Sequence, residues 1–242
     1  MRGLLGFLWV SVFSLGLVAC GGSKDGATET GEVSDIDTDI DTDTILDIAG
    51  SVVAAIKDGT DAGQWVTLDA GPAIKVIGEV AIEVLRREGA VSRVAVVDLD
   101  VHHGNGTAMI YGRDPAVFTC SMHEQHNYPM FKPRGSLDIG LTAGTDDATY
   151  LEGLAAALPQ VVAHEPDLMV YLAGADPFED DQLGNLKLSK EGLRERDRLV
   201  LRTMRGAGVP VAIVLAGGYA RQLVDTVDIH VATIEEALTT CR

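Results

Sequence analysis

The sequence contains no histidine before His102, so any imidazole chemistry belongs to the last three fifths of its 242 residues. It is short of positive charge: 19 Lys and Arg stand against 36 Asp and Glu, a formal net charge of −17. A surface of that sign repels phosphate backbones and anionic headgroups, which argues against direct nucleic-acid binding. Cysteine is scarce. The three present, Cys20, Cys120 and Cys241, have the spacing of neither a disulfide framework nor a zinc finger. No repeat period is visible. The rest is ordinary globular material, 46% apolar and 23% charged, which excludes a collagenous, coiled-coil or wholly disordered chain.

Met1-Arg2-Gly3 precedes an apolar run from Leu4 to Ala19, too short to span a bilayer comfortably and followed by small residues. This describes a secretory signal over residues 1–20. Its ending, Leu17-Val18-Ala19-Cys20, resembles the lipobox of bacterial lipoproteins, which implies cleavage before Cys20 and acylation of its thiol. Residues 21–48 carry nine acids against one base, Lys24, and read as a solvated, self-repelling tether. The expectation is an exported lipoprotein on the periplasmic side or the cell surface, touching membrane only through its lipid. A misassigned start would leave it cytoplasmic.

From residue 49 to 242 the composition is that of one folded domain. Residues 72–88 place Ile74, Ile77, Ala81, Val84 and Leu85 at helical spacing, with Gly89 as the stop. Continuous apolar runs follow at Val94–Val97, Val117–Cys120, Leu168–Leu172 and Val209–Leu215, separated by helix-like stretches at 147–163 and 189–207. Such runs, interleaved with helices, predict an α/β fold whose parallel sheet is covered by helices on both faces. Ligands bind beyond the carboxyl ends of strands in such sheets. Each run here is followed by polar or glycine-rich residues: Asp98 to Gly106, Ser121-Met122-His123, Gly174-Ala175-Asp176 and Gly217-Gly218-Tyr219.

Side chains two apart on a strand share a face, so Asp98, Asp100 and His102 are expected to point the same way. Asp100 and His102 then offer a carboxylate and an imidazole to one cation, and Asp176 from another strand end completes a three-ligand set. Three N/O ligands with an open fourth position suit a catalytic zinc. A satisfied polar strand end is the plainer alternative, but two buried carboxylates beside two imidazoles are costly without a cation.

The segments VVDLDVHHGNGT (96–107), FTCSMH with the downstream NYP (127–129), YLAGADPFEDDQLGNLKLS (171–189) and LAGGY (215–219) resemble a bacterial member of the histone deacetylase superfamily, over about residues 77–237. The resemblance implies an incomplete arginase/deacetylase-like fold. It implies Zn²⁺ on Asp100, His102 and Asp176, with Tyr219 as the catalytic hydroxyl that hydrogen-bonds the acetyl carbonyl. A monovalent-cation (K⁺) site would fall on Asp98, Asp100, His102 and Ser121 with the Met122 carbonyl. His103, His123, Tyr128, Gly217 and Gly218 would line the site. The substrate implied is an N-acetyl amide, on lysine or a small amine; oligomeric state is unreadable.

The family's upstream His-His pair, which activates water, has no counterpart here. Asp98 and Asn105, which orient that pair in relatives, would have nothing to orient. Two readings therefore stay open: a zinc-dependent deacetylase, and a catalytically impaired remnant that keeps the metal cage as a binding or structural lipoprotein.

Overall fold

The computed structural model describes residues 11–12 and 74–241, with side chains from Glu79 to Thr240. Cys20, the acidic stretch 21–48 and the rest of the leader lie outside the described residues. In chain order the elements are β1 (Ser11–Val12), α1 (Ile74–Arg87), β2 (Val94–Asp98), α2 (Asn105–Tyr111), β3 (Val117–Glu124), β4 (Leu137–Leu141), α3 (Asp147–Ala163), β5 (Leu168–Gly174), α4 (Lys190–Ala207), β6 (Val211–Ala216) and α5 (Leu223–Cys241). Every strand pairing is parallel, in the spatial order β1-β6-β5-β2-β3-β4. The two-residue β1, from within the apolar run, pairs with Ile213 and Val214 at the β6 edge of the five longer strands.

Strand alternation sorts the apolar side chains into two layers. Val94, Val96, Leu168, Val170, Leu172, Ala212 and Val214 pack on Ala81, Ile82 and Leu85 of α1 and Tyr111 of α2. Their neighbours Ala95, Val97, Met169, Tyr171, Ala173, Val211, Ile213 and Leu215 face the opposite layer, built from α3, α4 and α5. Both faces of the sheet are thus covered, as the continuous apolar runs require. Local chemistry sets the helix ends: Asp146 accepts from Thr149 N at 3.0 Å, Ser189 accepts from Gly192 N at 2.9 Å, and Gly208 closes α4 in the left-handed region at φ 71°.

The structure departs from the sequence expectation at three elements. β4 alternates between partly buried and exposed positions at the sheet edge. α2 is only seven residues long. α5 exposes Leu223, Val224, Val227, Val231 and Leu238, which blurs the single apolar stripe that marks a helix. The last strand begins at Val211 because Pro210 has no N–H, although its carbonyl accepts from Met169 N at 2.9 Å. Among the described residues no helix is long and apolar enough to cross a membrane. Cys120 is a free, buried thiol, pushed up to about 12 by burial.

Candidate metal centre

Asp98 is the last residue of β2 and pairs with Leu172 of β5 and Ser121 of β3. Strand alternation therefore stops at Asp98, and Asp100 and His102 reach the site by a different device. The backbone N–H of Asp100 donates to Asp98 Oδ1 at 3.1 Å, and that of His102 donates to Asp100 Oδ1 at 2.8 Å. Two consecutive side-chain-to-backbone turns aim the carboxylate and the imidazole inward. From the loop just after β5, Asp176 is fully buried, and its Oδ1 accepts from Val101 N at 2.9 Å.

One ligand atom each from Asp100, His102 and Asp176 converges, all within 4.8 Å of one another. His102 Nδ1 lies 3.0 Å from Asp100 Oδ1 and 3.4 Å from Asp176 Oδ2. Tetrahedral metal bonds of about 2.0–2.2 Å place ligand atoms about 3.4 Å apart, so the donor set and its spacing fit a small divalent ion. Packing keeps the cage tight. A Cβ on Gly217, which lies at φ 59°, would fall 2.3 Å from Asp176 Oδ2, and one on Gly174 would fall 2.6 Å from Asp100 Cα. Only glycine leaves room at either position.

The electrostatics agree with a site made for a cation. Hydrogen bonds to Asp100 and then Asp176 raise His102 to about 10, against burial. Burial, followed by the Asp100 charge, pushes Asp176 up to about 7. His102 Nδ1 lies between the two carboxylates, hydrogen-bonded to Asp100 and in ion-pair range of Asp176. The same three atoms can hold a cation instead.

The remaining sequence candidates fall into three groups. Tyr128 stands beside the cage, its ring 6.4 Å from that of His102, and is 71% exposed. Gly217 touches Asp176, and Tyr219, two residues on, is 55% exposed. His103 and His123 are buried as an edge-to-face pair with centroids 4.5 Å apart. His103 Nε2 lies 3.2 Å from Asp138 Oδ1, and His123 Nδ1 lies 3.1 Å from Ser121 Oγ. Burial, then His103, lowers His123 to about 4. The Ser121 hydroxyl also accepts from Gly104 N at 3.2 Å, and Met122 is fully buried.

Several supporting residues were passed over in the sequence. The buried Glu124 carboxylate accepts from Asn127 Nδ2 at 2.8 Å and from Asn185 N at 3.0 Å, tying the Tyr128 loop to the loop after β5. Asp181 accepts from Leu183 N, Gly184 N and Tyr219 N, the last at 2.6 Å. Both acids lie next to or inside the motif segments. Their roles depend on partners from distant loops, which spacing alone does not reveal.

Residues 78–234 match the model of the histone deacetylase domain. The chain belongs to that family. Among relatives, an uncharacterised protein of the cyanobacterium Picosynechococcus sp. is 46% identical over 152 residues, which cover 62% of this chain and 51% of that protein. The histone deacetylase-like amidohydrolase of Pseudomonas aeruginosa is 32% identical over 158 residues, 60% of this chain and 42% of the relative. The chain thus spans about half the length of these relatives or less. The crystal structure of an acetylpolyamine aminohydrolase from Burkholderia pseudomallei superposes with a TM-score of 0.61 at 21% identity, over 81% of this chain and 60% of that one. The deacetylase-type α/β fold is therefore shared by the covered part, with the Asp-His-Asp group at the carboxyl end of its sheet.

Proposed function

We propose that this histone deacetylase-family chain is a Zn²⁺-dependent hydrolase of N-acetyl amides, on lysine side chains or small amines. The observation that carries the reading is the convergence of Asp100, His102 and Asp176 within 4.8 Å in a domain of this family. A zinc ion in an open three-ligand cage supplies an activated water and a Lewis-acid contact for a carbonyl. The two aspartates would balance the ion's charge, and His102 would hold it as the neutral ring, its proton released to solvent. Tyr219 contributes the O–H that donates to the amide oxygen as negative charge develops there; one such donor contributes about 10²–10³ in rate. Asp181 fixes the Tyr219 backbone N–H at 2.6 Å, leaving the exposed side chain free to meet substrate.

A second reading rests on a specific observation. No histidine precedes His102, and the adjacent pair His103 and His123 is buried against Asp138 and Ser121. In that reading the chain is a metal-binding module without a general base, whose loss costs about 10²–10⁴ in rate.

The test is metal content and turnover of the full-length chain on a fluorogenic acetyl-lysine and an acetylated diamine, beside Asp176→Ala. Bound zinc with turnover above that control is the expected result. Bound zinc without turnover selects the binding module. Failure to bind zinc overturns both.

A further inference from the structure

Helix α4 carries arginines at every second position, 194, 196 and 198, and they divide by destination. Arg194 and Arg198 keep partly exposed guanidinium groups and reach the buried Glu236 carboxylate of α5. Arg196 turns inward and is fully buried. Its Nε donates to Asp197 Oδ1 at 2.9 Å, and its Nη2 lies 2.8 Å from the same oxygen as an ion pair. Asp197 also accepts from Tyr171 Oη on β5 at 2.5 Å and from Thr233 Oγ1 on α5 at 2.6 Å. The pair is thereby locked to a strand and a second helix. The remaining nitrogen, Nη1, donates to the carbonyl of Gly174 at 2.5 Å.

Gly174 is the last residue of β5 and the point at which the chain turns toward Asp176. It is wedged so closely between Asp100 Cα and Asp176 Oδ1 that a Cβ there would lie 2.6 and 2.9 Å from them. Whatever fixes the Gly174 carbonyl also fixes the distance between the two cage carboxylates. We propose that Arg196, held by Asp197, is a positioning residue for the Asp100–His102–Asp176 cage, acting from behind through the Gly174 carbonyl. This rests on the metal-binding reading above. A buried ion pair by itself is a poor source of stability, whereas hydrogen bonds behind a metal's ligands set their orientation and the affinity.

The test separates positioning from folding. Arg196→Met combined with Asp197→Leu removes both charges at similar volume, and it also takes the acceptor from the Tyr171 hydroxyl. Thr233→Val takes one donor from Asp197 and spares the contact with Gly174. Full-length parent and variants are titrated with Co²⁺ and Zn²⁺ against a chromophoric chelator, with the visible Co²⁺ bands and the urea midpoint read in parallel. We expect the double variant to fold with a lower urea midpoint, because the Tyr171 hydroxyl loses its acceptor, and to bind both ions about 10- to 100-fold more weakly with altered Co²⁺ bands. Thr233→Val should lower the midpoint and leave metal affinity within about twofold.

A folded double variant with parental affinity and bands overturns this inference alone and leaves the metal reading standing. A parent chain that binds neither ion overturns both. If the double variant does not accumulate folded, Arg196→Lys decides: it keeps the charge beside Asp197 but offers Gly174 only a flexible point donor. Weakened metal binding at an unchanged urea midpoint then supports positioning, and parental affinity overturns it.

Discussion

Asp176 is fully buried, whereas Tyr219, on the adjoining strand end, is 55% exposed. Around Asp176 the backbone comes close on every side, with a Val101 N–H on one oxygen and the Gly217 Cα hydrogens where any side chain would collide with the other. Around Tyr219 only the main chain is held: its N–H by Asp181, its carbonyl by the N–H and side-chain amide of Gln182 at 3.1 and 3.0 Å. The cage comes finished from the fold, and the tyrosine hydroxyl is placed by its backbone alone. Under the proposed function, holding an ion and completing an amide hydrolysis would therefore be separable demands, and mutations would pull them apart.

The largest expected effect is on the cage. Asp176→Asn should abolish metal retention, read by elemental analysis after gel filtration, while the metal-free variant stays at least as stable as the parent. The reason is that burial already pushes this carboxyl up to about 7, so the neutral amide avoids a desolvation cost. A metal-free variant markedly less stable than the parent would break the contrast, because the carboxylate would then be supporting the fold.

Tyr219→Phe should do the reverse. Zinc content should be unchanged and stability should stay within about 0.5 kcal/mol, as for exposed substitutions generally. Turnover of the acetyl-amide probe should fall by about 10²–10³.

Acid should loosen both regions from beneath. Burial lowers His123, on the cage side, and His230, whose ring bonds the Gly217 backbone, each to about 4. The unfolded chain takes up these protons near pH 6.5 and the folded chain only near 4. The stability these two rings contribute is thus fully present above about 6.5 and is lost as pH falls toward 4, by roughly 2–3 kcal/mol per ring, while the raised Asp176 carboxyl works the other way in the metal-free chain. Urea midpoints between pH 7 and 4 measure the slope, and His123→Gln and His230→Gln should each remove part of it. Equal slopes in the parent and both variants would mean the two rings titrate normally.

The smallest effect tests the hinge between the regions. Gly217→Ala must hold φ near 59° and place a methyl against Asp176. It should cost about 1–3 kcal/mol by urea denaturation and weaken metal binding as well. A loss of stability at unchanged metal affinity would show that the turn can shift without disturbing Asp176.

Much of the layout was legible in the sequence. Val94–Val97, Val117–Cys120 and Leu168–Leu172 mark three of the strands because each is buried on both faces and needs no polar alternation. β4 was missed because it is a half-exposed edge strand, and α5 because its outer face is also apolar. At the site, the identities Asp100, His102 and Asp176 were readable, but the means of delivery was not. Alternation along a strand was expected, and two side-chain turns at Asp98 and Asp100 do the work after the strand has ended. Arg196 stood among surface arginines at regular spacing, and nothing in that spacing marks the one that turns inward. Only the three-dimensional register of α4 on β5 separates it from Arg194 and Arg198.

The order of strands in the sheet differs from their order in the chain, and this sets a timetable. β2 lies between β3 and β5, so the Val101 N–H that anchors Asp176 is 75 positions upstream of it. A ribosome adding about 5–20 residues per second leaves Asp100 and His102 without their third partner for roughly 4–15 s. Pairing across such a separation is also slow to form. Metal capture by these three residues would have to wait until β5 has joined β2, so a bound ion would report that this central pairing has formed.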